Sequence, residues 1–375
     1  MKKILILHTS IGLGHKSIAE NIGYYLAQEG YEVRLEDIGK VQEGRFARVT
    51  IAIHQFINKY IPSVWAFLYR WGHYPVLPFR VFIAGFNYRQ TEKLVLEFGP
   101  DLIITVQTTA SAVISFLKKQ GSYKGPFGIA FSDYHLHRYW LYGQADFYLA
   151  NTQEQKIEMA RLGIDGKKVF VCGMTVKPKV QVDALSVKNR LGLGLSQKIV
   201  LVGAGSLGIG FPEEIFKKLS QDTDAAVVVV CGKNAAMQEN LQKYCSPRFK
   251  VLGFYRPMSE LYAITDVFVT KPGGLTVAEA LQWGLPMVVT HWLPGQEELN
   301  CRYLSERNLI ILKPADLIGT IKQELTTGAF RKSLSANPHV SEVVSGGRPA
   351  VSAVNQGFGQ LREAAKVVAR ELTKS

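Results

Sequence analysis

The sequence predicts an α/β protein of two doubly wound domains, each with a parallel sheet covered by helices. Three observations predict this class. The 375 residues suffice for two domains of ordinary size. Short apolar runs alternate with segments of helical period along the whole chain. Glycine-rich turns follow predicted strands in both halves, where such sheets bind ligands.

Composition and charge narrow the class of protein further. Hydrophobic residues make up 47% and charged residues 20%, as in a folded protein with large cores. The apolar run at 4–7 is too short for a signal peptide, and no run approaches the ~18 residues of a membrane span. The four cysteines form no C-x-x-C pair, which predicts buried thiols in a reducing cytoplasm. The formal net charge of +13 leaves nucleic acid, an anionic membrane or an anionic substrate as partners.

In the N-terminal half, strands and helices alternate in the manner of a parallel sheet. The first helix carries Ile18, Ile22 and Leu26 on one face, and a second helix is predicted at 153–162. Strands are predicted at 4–7, 31–35, 102–106, 127–131, 147–150 and 169–172.

The same pattern restarts after Pro178. The segment 173–194 is rich in glycine and lysine and lacks a core pattern, which predicts a linker. The predicted domains are therefore 1–175 and 176–349, with a C-terminal helix at 350–375 packing back toward the N-terminal domain. A glycine turn at 203–208 and a helix from Pro212 follow the first strand of this half. Strands are predicted at 199–202, 225–231, 249–252, 267–270, 287–290 and 309–312.

The most informative motif is Lys-Pro-Gly-Gly-Leu-Thr-Val-Ala-Glu at 271–279. Its glycines lead into a helix start, whose N–H groups suit a phosphate. Glu279 lies one turn further, where a carboxylate accepts hydrogen bonds from ribose hydroxyls. The alternative is a capping box between Thr276 and Glu279. Lys271 adds a positive charge, unless its side chain is merely solvated.

A second polar cluster opens the next helix, after Pro294 and Gly295. Its amide and carboxylate side chains suit sugar hydroxyls, and the alternative is the ordinary polarity of a helix N-terminus. For Glu298 the second interpretation is preferred. The candidates for sugar contacts are Gln296, Glu297 and Asn300.

Together these motifs resemble the donor site of nucleotide-sugar glycosyltransferases with two Rossmann-like domains, the GT-B fold. Within that class the chain most resembles the monogalactosyldiacylglycerol synthase and processive diacylglycerol beta-glucosyltransferase family. That family is related to the enzyme that adds N-acetylglucosamine to lipid-linked peptidoglycan precursor. Further matches cover nearly the whole chain, at 12–15, 133–140, 230–234 and 253–254.

The resemblance implies donor-binding roles on the C-terminal domain. It implies that Phe254 lines a uracil pocket through its backbone and that Glu279 holds the ribose. Asn234 would approach the nucleotide. The diphosphate would meet Ser206, Gly274, Leu275 and Thr276, and the hexose would meet Gln296, Glu297 and Asn300.

The resemblance also implies an inverting reaction with a base on the N-terminal domain. His15 follows a glycine turn, and an imidazole with a pKa near ~6.5 can accept the proton of an attacking hydroxyl. The alternative is a histidine that only caps its helix. Asp133 is expected to orient His15 or to act as the base itself. The acceptor side is expected to include Gly14, His137 and Trp140, while His135 is left unassigned. Neither a metal nor a cofactor is expected, since the UDP-sugar is a substrate.

The segment 44–91 has six basic residues, twelve aromatic residues and no Asp or Glu. Basic and aromatic residues together suit a surface of anionic lipid headgroups. The alternatives are a basic helical insertion packed on its own domain and nucleic-acid binding by stacking. The membrane interpretation is favoured over nucleic acid, because the implied acceptor is itself a lipid. The membrane candidates are Arg45, Arg48, Trp65, Arg70, Trp71 and Arg80.

The expected protein is a cytoplasmic enzyme bound peripherally to the membrane. It would move glucose or galactose from UDP-glucose or UDP-galactose to diacylglycerol and give a β-glycolipid. The alternatives are another lipid-linked or glycan acceptor, a UDP-sugar epimerase, and a non-catalytic UDP-sugar sensor. The choice of hexose, single or repeated addition, and the oligomeric state stay open, because motifs do not specify them.

Overall fold

The computed structural model describes residues 1–9, 13–41, 67, 69, 88–203, 205–208 and 211–356. These residues form two compact units. Of the described residues, those up to 177 and those from 345 onward belong to the first unit, and those at 178–344 belong to the second. Each unit has its own six-stranded sheet and its own apolar core.

The first unit is a parallel sheet with helices between successive strands. Its four central strands are buried apolar runs, as expected where helices cover both faces of a sheet. The strands are β1 (Lys3–His8), β2 (Glu32–Asp37), β3 (Leu102–Thr105), β4 (Phe127–Ala130), β5 (Phe147–Ala150) and β6 (Val169–Val171). Their order is β2-β1-β3-β4-β5-β6, and every neighbouring pair is parallel. The helices are α1 (Leu13–Gln28), α2 (Ile38–Val41), α3 (Arg89–Phe98), α4 (Thr108–Gln120) and α5 (Gln153–Arg161).

The predicted linker at 173–194 contains the passage between the units, but part of this segment is folded. It contains β7 (Met174–Thr175) and α6 (Ala184–Arg190), and the Asp183 carboxylate caps α6 by accepting the Leu185 and Ser186 N–H groups at 3.1 Å. The chain passes between the units at 177–178. The glycine and lysine content concealed isolated apolar anchors, which are buried at Met174, Val176, Val187 and Leu193.

The second unit repeats the architecture of the first. Its strands are β8 (Ile199–Gly203), β9 (Ala226–Val230), β10 (Phe249–Leu252), β11 (Val267–Thr270), β12 (Met287–Val289) and β13 (Ile311–Leu312). They lie in the order β10-β9-β8-β11-β12-β13, and all pairs are parallel. The helices are α7 (Glu213–Asp222), α8 (Ala235–Leu241), α9 (Met258–Ile264), α10 (Gly274–Gln282), α11 (Gln296–Glu306), α12 (Leu317–Thr327), α13 (Ala329–Ala336) and α14 (His339–Val343), followed by β14 (Val344–Ser345).

The C-terminal residues return to the first unit at Ser345. The Ser345 carbonyl oxygen accepts a hydrogen bond from the Val176 N–H at 3.0 Å. Residues 348–356 are helical, and the Tyr31 hydroxyl donates a hydrogen bond to Asn355. The rest of the predicted C-terminal helix, 357–375, lies outside the described residues.

Several predictions for the acid-free segment 44–91 also fall outside the described residues. Among the residues that are described, no helix is long and apolar enough to cross a membrane. The membrane candidates outside the described ranges are Arg45, Arg48, Trp65, Arg70, Trp71 and Arg80.

Candidate functional site

Two glycine turns of the second unit lie where its strand order reverses. β8 lies between β9 and β11, so the chain leaves β8 toward one side of the sheet and returns at β11 on the other. In doubly wound sheets, ligands bind at this switch point, outside the carboxyl ends of the strands. The turn at 205–208 follows β8 and the turn at 271–273 follows β11. This edge of the second unit is therefore its candidate ligand site.

The turn after β8 packs tightly on the turn after β9. Gly232 has a φ of +61°, and a Cβ atom there would lie only 2.6 Å from the Ser206 carbonyl oxygen. The Asn234 side-chain amide donates to the Gly208 carbonyl oxygen at 2.8 Å. Its side-chain oxygen accepts the Met237 N–H at 3.0 Å, which caps α8. The structure thus gives Asn234 the role of holding the glycine turn in place.

A largely buried ion pair lies beside the turn after β11. Lys271 Nζ is 3.1 Å from Glu297 Oε1, and the two side chains are only 10% and 16% exposed. The other oxygen, Glu297 Oε2, accepts the Leu293 N–H at 2.6 Å. Both carboxylate oxygens of Glu297 are therefore occupied by donors of the protein itself.

Glu279 is oriented by a buried tyrosine. α10 begins at Gly274, so Thr276 lies inside the helix and the capping box that Thr276 and Glu279 were expected to form as an alternative is not made. The Tyr262 hydroxyl donates to Glu279 Oε2 at 3.2 Å. Burial raises the pKa of Tyr262 well above its usual range, and the Glu279 carboxylate raises it further. The phenol therefore stays protonated and donates to Glu279 at all physiological pH values.

The start of α11 approaches the same turn. Gln296 is the first residue of α11, and the Glu298 carboxylate accepts the Gly295 N–H at 3.4 Å. This is the helix-end polarity predicted for Glu298. Asn300 is buried, and its side-chain amide donates to the Pro272 carbonyl oxygen at 3.1 Å. Residues of α11 therefore lie next to the turn that precedes α10.

Phe254 follows β10, the edge strand that pairs with β9. Its side chain is 49% exposed, which is unusual for a phenylalanine. The Arg256 guanidinium lies 6.0 Å from the centre of its ring. An exposed side chain is compatible with the prediction that Phe254 contributes through its backbone.

In the first unit, His15 lies in the first turn of α1, next to the exposed Gly14. Its Nδ1 atom is buried and has no hydrogen-bond partner within the described part of the chain. The Trp140 ring centre is 6.2 Å from that of His15. Burial lowers the pKa of His15, although the Asp133 carboxylate and the Val106 backbone oppose the shift. The imidazole is therefore neutral near pH 7, which is the form that accepts a proton.

The loop that carries Asp133 is fixed by buried amide side chains. Asp133 is buried just beyond β4, and the Asn151 and Gln155 side chains each donate to its carbonyl oxygen at 2.9 Å. Gln155 also donates to the His135 carbonyl oxygen at 2.8 Å. The Thr152 hydroxyl accepts the Gln155 N–H at 3.2 Å, which completes the cap of α5. This network positions the loop relative to the strands that support it.

Tyr69, from the acid-free segment, packs on the same loop. Its hydroxyl is hydrogen-bonded to His135 Nε2 at 2.7 Å, and its carbonyl oxygen accepts from His137 Nε2 at 2.7 Å. The rings of Tyr69 and His137 lie 4.2 Å apart. His137 Nδ1 accepts the Tyr139 N–H at 3.1 Å, so both nitrogens of this buried ring are engaged. The structure therefore places His137 as an anchor for Tyr69.

Comparison with known proteins finds a glycosyltransferase-type match in each half of the chain. The family model for monogalactosyldiacylglycerol (MGDG) synthase matches residues 15–176, and the model for glycosyl transferases group 1 matches residues 197–325. The processive diacylglycerol beta-glucosyltransferase of Bacillus pumilus (strain SAFR-032) is 27% identical over 351 residues, 90% of each chain. That of Bacillus subtilis (strain 168) is 28% identical over 324 residues, 83% of each chain.

The chain therefore resembles this glycosyltransferase family over most of its length. The resemblance predicted from the motifs is confirmed, and so is the enzyme class, a UDP-sugar-dependent glycosyltransferase. Its two matched regions fall in the two units of the structure, one on each side of the passage at 177–178.

Solved structures confirm the fold class of this glycosyltransferase. The S. aureus MnaA–UDP co-structure has a TM-score of 0.62 and 15% identity and covers 96% of this chain and 97% of its own. Acinetobacter baumannii MurG has a TM-score of 0.56 and 16% identity and covers 94% of this chain and 98% of its own. The two parallel-sheet units are those of the GT-B fold, as predicted.

The candidate sites of the two units contain residues that the motifs did not reveal. Tyr69 and Tyr262 lie far in sequence from the residues that they orient, and no local pattern marks either one. Gln155 was detectable, since Thr-x-x-Gln is the pattern of a capping box. Within the described ranges, no group of three or more His, Cys, Asp or Glu residues has a geometry that could hold a metal ion.

Proposed function

We propose that this glycosyltransferase moves glucose or galactose from a UDP-sugar to diacylglycerol and forms a β-glycolipid. The observation that carries the proposal is the position of the Glu279 carboxylate. Glu279 lies in α10, the helix that follows the glycine turn after β11, and it accepts a hydrogen bond from the Tyr262 hydroxyl. A helix start suits a diphosphate, and a fixed carboxylate suits ribose hydroxyls. The name of the Bacillus relatives, processive diacylglycerol beta-glucosyltransferase, supports the acceptor and the type of product.

The donor would bind along the carboxyl edge of the second unit. Phe254 would contact uracil through its backbone and Glu279 would bind the ribose. Asn234 would support the nucleotide indirectly, since its side chain holds the Gly208 turn. The diphosphate would meet Ser206, Gly274, Leu275 and Thr276, and the hexose would meet Gln296 and Asn300.

The reaction would be a single displacement with inversion. An acceptor hydroxyl oxygen attacks C1 of the hexose and forms the new C–O bond. The bond from C1 to the β-phosphate oxygen breaks, and its electron pair leaves with UDP. The hydroxyl proton passes to the neutral imidazole of His15, while Asp133 stabilises the resulting imidazolium. Gly14 and Trp140 would lie on the acceptor side of His15.

The acceptor lipid implies work at a membrane surface. The acid-free segment 44–91 provides basic and aromatic residues, and each basic residue near an anionic surface contributes roughly 1 kcal/mol. Tyr69 would connect this segment to the loop of Asp133 through His135 and His137. Vesicles containing anionic lipid should therefore recruit the protein in a flotation assay, with less recruitment at high salt. Equal recruitment by neutral vesicles would refute the electrostatic attachment.

The decisive experiment offers the protein UDP-glucose and UDP-galactose separately, with diacylglycerol in vesicles. We expect UDP and a hexosyl-diacylglycerol, with the β configuration established by NMR. A converted UDP-sugar without glycolipid would indicate an epimerase, a reaction named for several structural relatives of this fold. Donor binding without turnover would indicate a UDP-sugar sensor. Either result would overturn the proposed function.

A further inference from the structure

Lys271 is the first residue of the turn after β11, and its side chain reaches the turn after β8. It follows β11 directly, and its side chain is only 10% exposed. Its Cε atom is 3.8 Å from where a Cβ atom on Gly205 would lie, so its aliphatic chain lies against the turn after β8. Lys271 thus contacts the turn of one strand while belonging to the turn of the neighbouring strand.

The ammonium group is held by a carboxylate that is itself fixed. Glu297 Oε1 accepts from Lys271 Nζ at 3.1 Å, while Glu297 Oε2 accepts the Leu293 N–H at 2.6 Å. An ammonium has three N–H donors, and this contact uses one of them. The pair therefore leaves Lys271 with donors to offer, and it gives each carboxylate oxygen of Glu297 a donor from the protein itself.

Burying the Lys271–Glu297 pair costs desolvation free energy, which a bound ligand would offset. Burying a lysine and a glutamate removes both from water, and such pairs contribute little to stability compared with apolar residues of similar size. α10 begins at Gly274, three residues after Lys271, and places the positive end of a helix dipole beside it. The surroundings thus favour a ligand of higher negative charge than Glu297 alone.

We infer that Lys271 is a cationic ligand of the donor diphosphate and that Glu297 positions Lys271 instead of reading the hexose. This inference rests on the proposed function. As the bond from C1 to the β-phosphate oxygen breaks, its electron pair stays on that oxygen and adds one negative charge to UDP. Lys271 stabilises this charge through N–H donation and keeps its own proton, because the acceptor proton goes to His15.

The first test compares UDP with uridine by isothermal titration calorimetry. Lys271→Met should weaken UDP binding by about 10- to 100-fold, the usual effect of losing a hydrogen bond to a charged group. Uridine binding should change by less than about twofold, because uridine lacks the diphosphate. Lys271→Arg should retain most of the affinity for UDP.

Lys313→Met is the matched control. Lys313 follows β13 at the same edge of the sheet, but its amine lies 4.1 Å over the Trp292 ring. Lys313→Met removes one positive charge, as Lys271→Met does, but it should lower the affinity for UDP by less than about threefold. If Lys271→Met and Lys313→Met have equal effects, or if Lys271→Met weakens uridine as much as UDP, the inference is wrong. If the unaltered protein does not bind UDP at all, the proposed function fails first.

The second test separates positioning by Glu297 from sugar recognition. In Lys271→Met, the Glu297 carboxylate remains unpaired and repels the diphosphate. Adding Glu297→Gln should therefore restore UDP affinity by about three- to tenfold relative to Lys271→Met alone. A hexose-reading Glu297 predicts no rescue for UDP, which carries no hexose, and instead predicts a loss specific to UDP-hexose. Thermal unfolding of each variant checks that the protein is folded, and the double variant retains the test if Lys271→Met is unstable.

Discussion

Replacing Gly232 by alanine tests whether the packing of the two turns shapes the donor site. Gly232 has a φ of +61°, and a Cβ atom would lie 2.6 Å from the Ser206 carbonyl oxygen and 2.7 Å from that of Gly205. The turn after β8 must then move by at least about 0.4 Å to restore 3.0 Å, the closest approach that Cβ atoms ordinarily make. Such a displacement should weaken UDP by about tenfold, since the loss of one hydrogen bond to a charged group costs about 1.5 kcal/mol.

Gly284→Ala is the control for backbone strain. Gly284 has a φ of +65°, and a Cβ atom there would meet nothing within 4 Å. Both variants incur the cost of a left-handed alanine, about 1–2 kcal/mol of the free energy of unfolding, measured by urea denaturation. Only Gly232→Ala should also lose UDP affinity, measured by calorimetry. Equal UDP affinity in the two variants would refute the claim that the turn after β8 contacts the diphosphate.

Three further predictions follow from the sites of the two units. His15→Asn should lower kcat by about 10²–10⁴-fold without weakening UDP. In the unaltered enzyme kcat should rise with pH to a plateau, with an apparent pKa below 6.5, because burial favours the neutral imidazole; a rate independent of pH between 5 and 8 would argue against His15 as the base. Tyr262→Phe should weaken UDP by about three- to tenfold but 2′,3′-dideoxy-UDP much less, and equal losses would contradict a role through the ribose. Gln155→Leu should reduce the free energy of unfolding, measured by urea denaturation, by about 2–4 kcal/mol. The control Gln153→Leu, at an exposed position, should change it by less than about 0.5 kcal/mol. Similar effects of the two variants would refute the claim that the hydrogen bonds of Gln155 stabilise the fold.

The strands were predictable where the chain forms a continuous apolar run between turns. The strands Phe147–Ala150, Phe249–Leu252 and Val267–Thr270 have the limits that the sequence indicated. The linker prediction at 173–194 missed the helix Ala184–Arg190, because single apolar residues such as Val187 anchor it and a window of residues does not detect single anchors. Helices Arg89–Phe98 and Thr108–Gln120 were not predicted.

The candidate site was predictable as a set of motifs and not as a set of contacts. The glycine turns and Glu279 follow from local patterns, because strand ends and helix starts are local. The partner of Glu279 is Tyr262, 17 residues away, and the partner of Lys271 is Glu297, 26 residues away. Such pairs depend on the order of strands in the sheet, which no short motif encodes. The structure adds most to Glu297, which was predicted as a hexose ligand and is the partner of Lys271.

Mass spectrometry of the lipid product directly tests the proposed transfer of a hexose to diacylglycerol. The protein is incubated with diacylglycerol vesicles and either UDP-glucose or UDP-galactose, and released UDP is measured in the same reaction. We expect a hexosyl-diacylglycerol with at least one of the two donors. Its amount should rise in proportion to the UDP released, and it should be lost in His15→Asn. UDP-sugar consumption without any hexosyl lipid, or glycolipid formation that persists in His15→Asn, would contradict the proposed transfer.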